Sequence, residues 1–109
     1  MVVTSRKVDS CIKVAREIEA MGRQALPYGC HVADWDQIDT LVDAAYERFG
    51  KIDILINNAG MSPLYDKITD VSRELFDKVI GVNLSGPFRL KANAKRHERA
   101  GPKLNMVNQ

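Results

Sequence analysis

The residues best suited to chemistry follow a short apolar run. Ile52-Asp53-Ile54-Leu55-Ile56 leads into Asn57-Asn58-Ala59-Gly60. The β-branched and aliphatic run reads as a buried parallel strand. At its carboxyl end two amides can donate and accept hydrogen bonds. Ala59 and Gly60 have almost no side chain, so the backbone there can approach a flat ligand closely. In open α/β sheets that end of the strands is where ligands sit. The same four residues also read as a plain turn, because Asn and Gly favour turns.

Two further places carry usable groups. Ser5-Arg6-Lys7 follows the apolar Val2-Val3-Thr4. A planar guanidinium grips a phosphate through two hydrogen bonds, and Ser5 adds a hydroxyl donor. Arg6 and Lys7 read equally well as a solvated pair at a strand end. Asn83 stands in a helical pattern, where Asn has no propensity advantage. Pro87 follows four residues later. Proline has no N–H, so in a regular helix the Asn83 carbonyl loses its partner. The plainer alternative is that Ser85-Gly86-Pro87 kinks or ends the helix.

The elements that must position these groups alternate. Val2–Ser5 reads as a strand. Asp9 or Ser10 can cap a helix to about Met21, with Val14, Ala15, Ile18 and Met21 on one face. Gly22 stops it, and residues 25–31 form a second strand. Asp34 is an N-cap, with Gln37 in a capping-box position. Ile38, Leu41, Val42, Ala45 and Phe49 mark the next apolar face, and Gly50 closes that helix. Residues 52–57 form the third strand. After a loop to about Thr69, a long helix starts near Asp70 and buries Leu75, Phe76, Val79 and Leu84. Residues 103–107 can form a last strand. Such alternation implies an α/β fold with a parallel sheet covered by helices on both faces.

At 109 residues, with 45% hydrophobic and 28% charged, the chain is one globular domain at most. A net charge of +2 points to no polyanion, so no nucleic-acid partner is expected. No apolar run is long enough to span a bilayer, and no signal peptide precedes the first strand. Cys11 and Cys30 read as reduced packing residues, which places the protein in the cytoplasm. No His/Cys cluster has metal-ligand spacing.

Asn-Asn-Ala-Gly after such a strand resembles the short-chain dehydrogenase/reductase family. Val2-Val3-Thr4-Ser5-Arg6-Lys7, Cys30-His31-Val32, Phe49-Gly50-Lys51-Ile52-Asp53 and Val82-Asn83-Leu84 agree with it in order and spacing. The resemblance covers roughly residues 2–90. It implies a Rossmann-type doubly wound sheet, with 1–109 as a partial dinucleotide-binding domain. The implied activity is NAD(P)(H)-dependent interconversion of an alcohol and a ketone or aldehyde, in a homotetramer or dimer. In such folds an Arg after the strand that faces the adenosine ribose accommodates a 2′-phosphate, so Arg6 favours NADP(H) over NAD(H).

The resemblance also assigns roles. Ser5, Arg6, His31, Val32, Asn57, Ala59 and Gly60 become coenzyme-binding residues. Val32 meets the adenine through its backbone. His31 replaces the acid usual at that position and can stack on the base, or be structural. Asn83 becomes the active-site asparagine, whose main-chain carbonyl holds a water in a proton relay.

The chain also departs from the pattern. The family's opening strand and glycine-rich turn have no counterpart, nor has Tyr-x-x-x-Lys. Val2–Ser5 and residues 52–57 are therefore expected to flank a gap, with unpaired N–H and C=O groups. Each buried unpaired group costs about 1–3 kcal/mol, so the chain is expected to be a piece of a longer one or poorly stable alone. Lys91, Lys95, Arg96, Arg99 and Lys103 make a basic tail suited to a helix C-terminus. Two other readings are a non-catalytic nucleotide-binding remnant and an interaction module of the same fold.

Overall fold

The computed structural model describes residues 1–98 and 105–108. Its elements are β1 (Val2–Ser5), α1 (Val8–Ala20), β2 (Leu26–Gly29), α2 (Trp35–Phe49) and β3 (Ile54–Asn57). After them come α3 (Arg73–Ile80), a π-helical segment (Gly81–Ser85), α4 (Gly86–Glu98) and β4 (Asn105–Asn108). All strand pairs are parallel, in the order β2-β1-β4-β3.

Side chains of adjacent strand residues point to opposite faces. Val2 therefore packs with α2 and α4, in a core of Cys30, Val32, Ile38, Leu41, Val42 and Leu90 among others. Val3 turns to the other face, where α1 buries Cys11 and Ala15. Helices on both faces make this a Rossmann-type doubly wound α/β fold. Pro27 is tolerated in β2 because β2 is an edge strand, where one side needs no ladder bond.

The helix ends follow local chemistry. Asp34 accepts from the backbone N–H groups of Asp36 and Gln37 at 3.0 and 3.2 Å. Gln37 donates to the second Asp34 oxygen and accepts the His31 N–H at 2.8 Å. Gly50 ends α2 at φ 78°, a left-handed conformation that costs glycine little. Asp34→Ala should lower stability by about 1 kcal/mol, read from the urea midpoint. A midpoint equal to that of the wild type would show that the cap contributes nothing.

Several expectations are corrected. Neither Asp9 nor Ser10 caps α1: the N-cap is Lys7, and Asp9 lies in the first turn. The helix starts early because Ser5 Oγ accepts the Lys7 N–H at 3.3 Å and turns the chain straight out of β1. Ser72, accepting from the Leu75 N–H, caps α3, so that helix begins at Arg73 rather than near Asp70. The expected single long helix is interrupted by the π-helical segment. Phe76 in α3 and Leu84 in the π-helical segment are 56% and 62% exposed rather than buried, and Leu75 and Val79 are only half-buried.

β3 is not a buried strand either. Ile54 and Ile56 are 51% and 45% exposed, because β3 is an edge strand and α1 covers only β1 and β2 on that face. The expected gap between β1 and β3 is closed. β4 runs between them, pairing Val3 with Val107 on one side and Ile56 with Val107 on the other. A strand with two open neighbours satisfies both of their ladders at once. Residues 103 and 104 of the expected last strand lie outside the described residues, as does Arg99 of the basic tail; Lys91 and Lys95 are exposed.

Candidate functional site

The carboxyl tips of β1, β2 and β3 open on one side of the sheet. A cavity of about 430 Å³ lies there, lined by Arg6, Cys30, His31, Val32, Ala59 and Gly60. Met61, Lys78 and Val82 complete its wall. Five residues expected to meet a coenzyme are thus brought together. Ser5 and Asn57 are not on the wall. The Ser5 hydroxyl donates to the Lys7 carbonyl at 3.0 Å and lies 3.3 Å from Cys11 Sγ, so it shapes the turn out of β1. Asn57 is the last β3 residue and pairs with Asn108.

The wall combines a cation, an imidazole and small apolar groups. The Arg6 side chain is exposed and makes no ion pair among the described residues. His31 Nδ1 accepts the Ala33 N–H at 3.1 Å, so the neutral ring carries its proton on Nε2. The His31 backbone N–H is held by the Gln37 side chain. His31 therefore builds the turn that presents Val32, and it also lines the cavity.

Burial, and then the nearby Asp34 carboxylate, push the Cys30 thiol up from its ordinary 9.0 to about 11. The thiolate is disfavoured in the fold, so Cys30 is no nucleophile at neutral pH. Its stabilising contribution is fully present below pH 9 and is lost as the pH climbs through 11. Alkylation of native Cys30 should be slow at neutral pH and speed up toward pH 11. Prompt adduct formation at neutral pH, mapped by peptide mass, would contradict this.

Opposite the strand tips, the π-helical segment carries Asn83. Its carboxamide accepts the Met61 N–H and donates to the Met61 carbonyl, both at 2.8 Å. This two-point clamp fixes the chain just beyond Gly60. The segment is wider than an α-helix: the Gly86 N–H bonds to the Gly81 carbonyl, five residues back. Pro87 has no N–H to give the Asn83 carbonyl. The helix neither ends nor simply kinks at Ser85-Gly86-Pro87; it takes in an extra residue and continues as α4.

Glycine makes that path possible. A Cβ on Gly86 would lie 2.1 Å from the Val32 carbonyl oxygen, and one on Gly81 would lie 3.0 Å from the Ala33 Cβ. The segment is thereby pressed onto the turn that carries His31 and Val32. Further along, Arg89 grips both oxygens of Asp39 at 2.9 and 2.6 Å, and stacks over Trp35 at 5.0 Å. Asn93 also donates to Asp39, and Tyr46 donates to the Ala94 carbonyl at 3.1 Å. These contacts lock α4 to α2.

Four wall residues were not expected there: Met61, Lys78, Val82 and Cys30, the last read from the sequence only as a packing residue. The spacing of Lys78 and Val82, one helical turn apart, was the available signal for a shared face. Gly81 and Gly86 inside a helical pattern were the signal for close backbone approach. Among the described residues no His/Cys/Asp/Glu group could hold a metal ion, and no helix is long and apolar enough to cross a membrane.

The family model for short chain dehydrogenase matches residues 1–107. L-rhamnose 1-dehydrogenase (NAD(P)(+)) of Azotobacter vinelandii is 42% identical over 91 residues, which is 83% of this chain and 35% of that protein. Versicolorin reductase 1 of Dothistroma septosporum is 35% identical over 100 residues, 92% of this chain and 38% of that one. A metagenomic short-chain oxidoreductase, crystallised in complex with NADP, matches with a TM-score of 0.86 at 28% identity. That match covers 98% of this chain and 48% of the other. The chain spans less than half the length of each of these relatives. By sequence and by fold, the chain belongs to the short chain dehydrogenase family of oxidoreductases.

Proposed function

We propose that this chain supplies the adenosine side of an NADP(H) site, in an oxidoreductase that interconverts an alcohol and a ketone or aldehyde. The observation that carries this reading is the shared cavity of Arg6, Val32 and Gly60 at three strand tips. Its volume, about 430 Å³, lies within the range of small-molecule sites.

The residues present suit the coenzyme. Arg6 offers a bidentate grip for a 2′-phosphate. Val32, Ala59 and Val82 offer apolar surface to an adenine ring, with the His31 ring beside them. A Cβ on Gly60 would meet nothing closer than 3.8 Å, so the wall there is open to a flat group. When bound, the coenzyme gives or takes the hydride. Asn83 serves this by two separate groups: its side chain holds the Met61 backbone, and its main-chain carbonyl is offered to a relay water. Ser5 and Asn57 act indirectly, by setting the ends of β1 and β3.

Two similar proteins support the coenzyme class: the L-rhamnose 1-dehydrogenase (NAD(P)(+)) and the metagenomic oxidoreductase solved with NADP. Preference for NADP(H) rests on Arg6. A homo-oligomer of dimer or tetramer size is part of the same reading; Leu84 and Phe88, 62% and 64% exposed along the helix, suit a subunit contact. The partner is a small carbonyl or alcohol. The test is equilibrium titration of the chain with NADPH and NADH, followed by coenzyme fluorescence. Saturable binding with NADPH the tighter ligand is expected. Absence of binding by either nucleotide would end this reading.

A further inference from the structure

We propose that Lys78 is a second phosphate-recognition residue, acting with Arg6 on the 2′-phosphate of the bound adenine nucleotide. This inference rests on the coenzyme reading above and adds a residue to it. Arg6 approaches the cavity from the tip of β1, and Lys78 from α3 on the helical side. Among the described residues no Asp or Glu lies on the wall. Asp34, whose carboxylate bears on Cys30, is occupied in capping α2, and Glu74 meets Lys78 from outside the wall. Among the described residues the wall therefore carries two basic side chains, Arg6 and Lys78, and no acidic one.

That charge count selects the ligand. A phosphate monoester carries a charge of about −1.5 to −2 at neutral pH. One guanidinium leaves much of that charge uncompensated, whereas a guanidinium and an ammonium together match it. An unphosphorylated ribose brings no charge and gains nothing from Lys78. The ammonium is within reach. Lys78 Nζ lies 3.3 Å from Glu74 on its own helix, with side chains 61% and 80% exposed. An exposed i,i+4 pair of this kind is weak, so Nζ can turn from Glu74 to a phosphate at small cost.

The experiment is calorimetric titration of the full chain with adenosine 2′,5′-bisphosphate and with adenosine 5′-monophosphate, which differ only in the 2′-phosphate. Lys78→Gln should weaken bisphosphate binding about tenfold and leave the monophosphate unchanged. Lys78→Arg should restore most of the loss. Glu74→Gln should hold or tighten bisphosphate binding, because it removes the competing carboxylate. Added salt should erode the difference between wild type and Lys78→Gln. Equal effects of Lys78→Gln on both nucleotides, or none on either, would overturn the role of Lys78 and leave the coenzyme reading standing. Failure of the wild type to bind either nucleotide would overturn the coenzyme reading, and this inference with it.

Discussion

Gly86→Ala should lower the thermal midpoint by more than about 10 °C. The new methyl group would sit 2.1 Å from the Val32 carbonyl oxygen and 2.9 Å from its carbon. On the other side, the Gly81 carbonyl oxygen lies at 3.1 Å. All three neighbours are backbone atoms, so no side chain can rotate away. Either the turn after β2 moves, or α4 lifts from the sheet. Lifting α4 would draw Leu90, fully buried, out of the core and strain the Arg89–Asp39 lock.

Overpacking of this kind costs about 1–3 kcal/mol and sometimes more, against a total stability of about 5–15 kcal/mol. Nucleotide binding should weaken in parallel, because Val32 and Val82 face the same cavity from the two sides that are forced apart. Differential scanning calorimetry with and without NADPH reads both effects. A variant that melts with the wild type would show that the segment can shift freely, and the close packing would then have no structural importance.

Arg6→Asp should reverse coenzyme preference, changing the ratio of NADPH to NADH affinity on the order of a hundredfold. Two effects add. The guanidinium–phosphate hydrogen bonds are lost, and a carboxylate then faces a dianion across the same cavity. The new carboxylate can also accept from a free ribose 2′-hydroxyl, which favours NADH. Stability should change little, because Arg6 is exposed and holds no ion pair among the described residues. Paired titrations with both coenzymes measure the ratio. An unaltered ratio would remove the phosphate argument at Arg6 altogether.

Much of this molecule is legible in its residues. The Asp34–Gln37 cap, the Gly50 stop and the apolar face of α2 are short-range features, each settled within a few residues of chain. So is the strand-to-turn change at Asn57-Asn58-Ala59-Gly60, and the placement of Arg6 directly after an apolar strand. These local preferences, set in an alternating βα pattern, were enough to put Arg6, Val32 and Gly60 at strand tips on one side of a parallel sheet. The start of α1 is instructive as a local failure: Ser5 took the Lys7 N–H and moved the helix start ahead of both Asp9 and Ser10.

Other features depend on contacts between distant parts of the chain, and no local pattern encodes them. The pairing partners of β4 are one: open ladders on β1 and β3 drew Asn105–Asn108 between them, which periodicity cannot express. The exposure of Ile54 and Ile56 is another, since an apolar strand reads alike at the edge and in the middle of a sheet. The wide turn at Asn83 arises because Gly81 and Gly86 must seat against residues 33 and 32, far back in the chain, while Asn83 reaches Met61. Lys78 joined Arg6 at one cavity only through that packing. Which groups reach the strand tips follows from local order along the chain, because helix caps, turns and alternation act over a few bonds. Which groups face one another follows from packing, because side-chain volume and backbone pairing join segments separated by tens of residues.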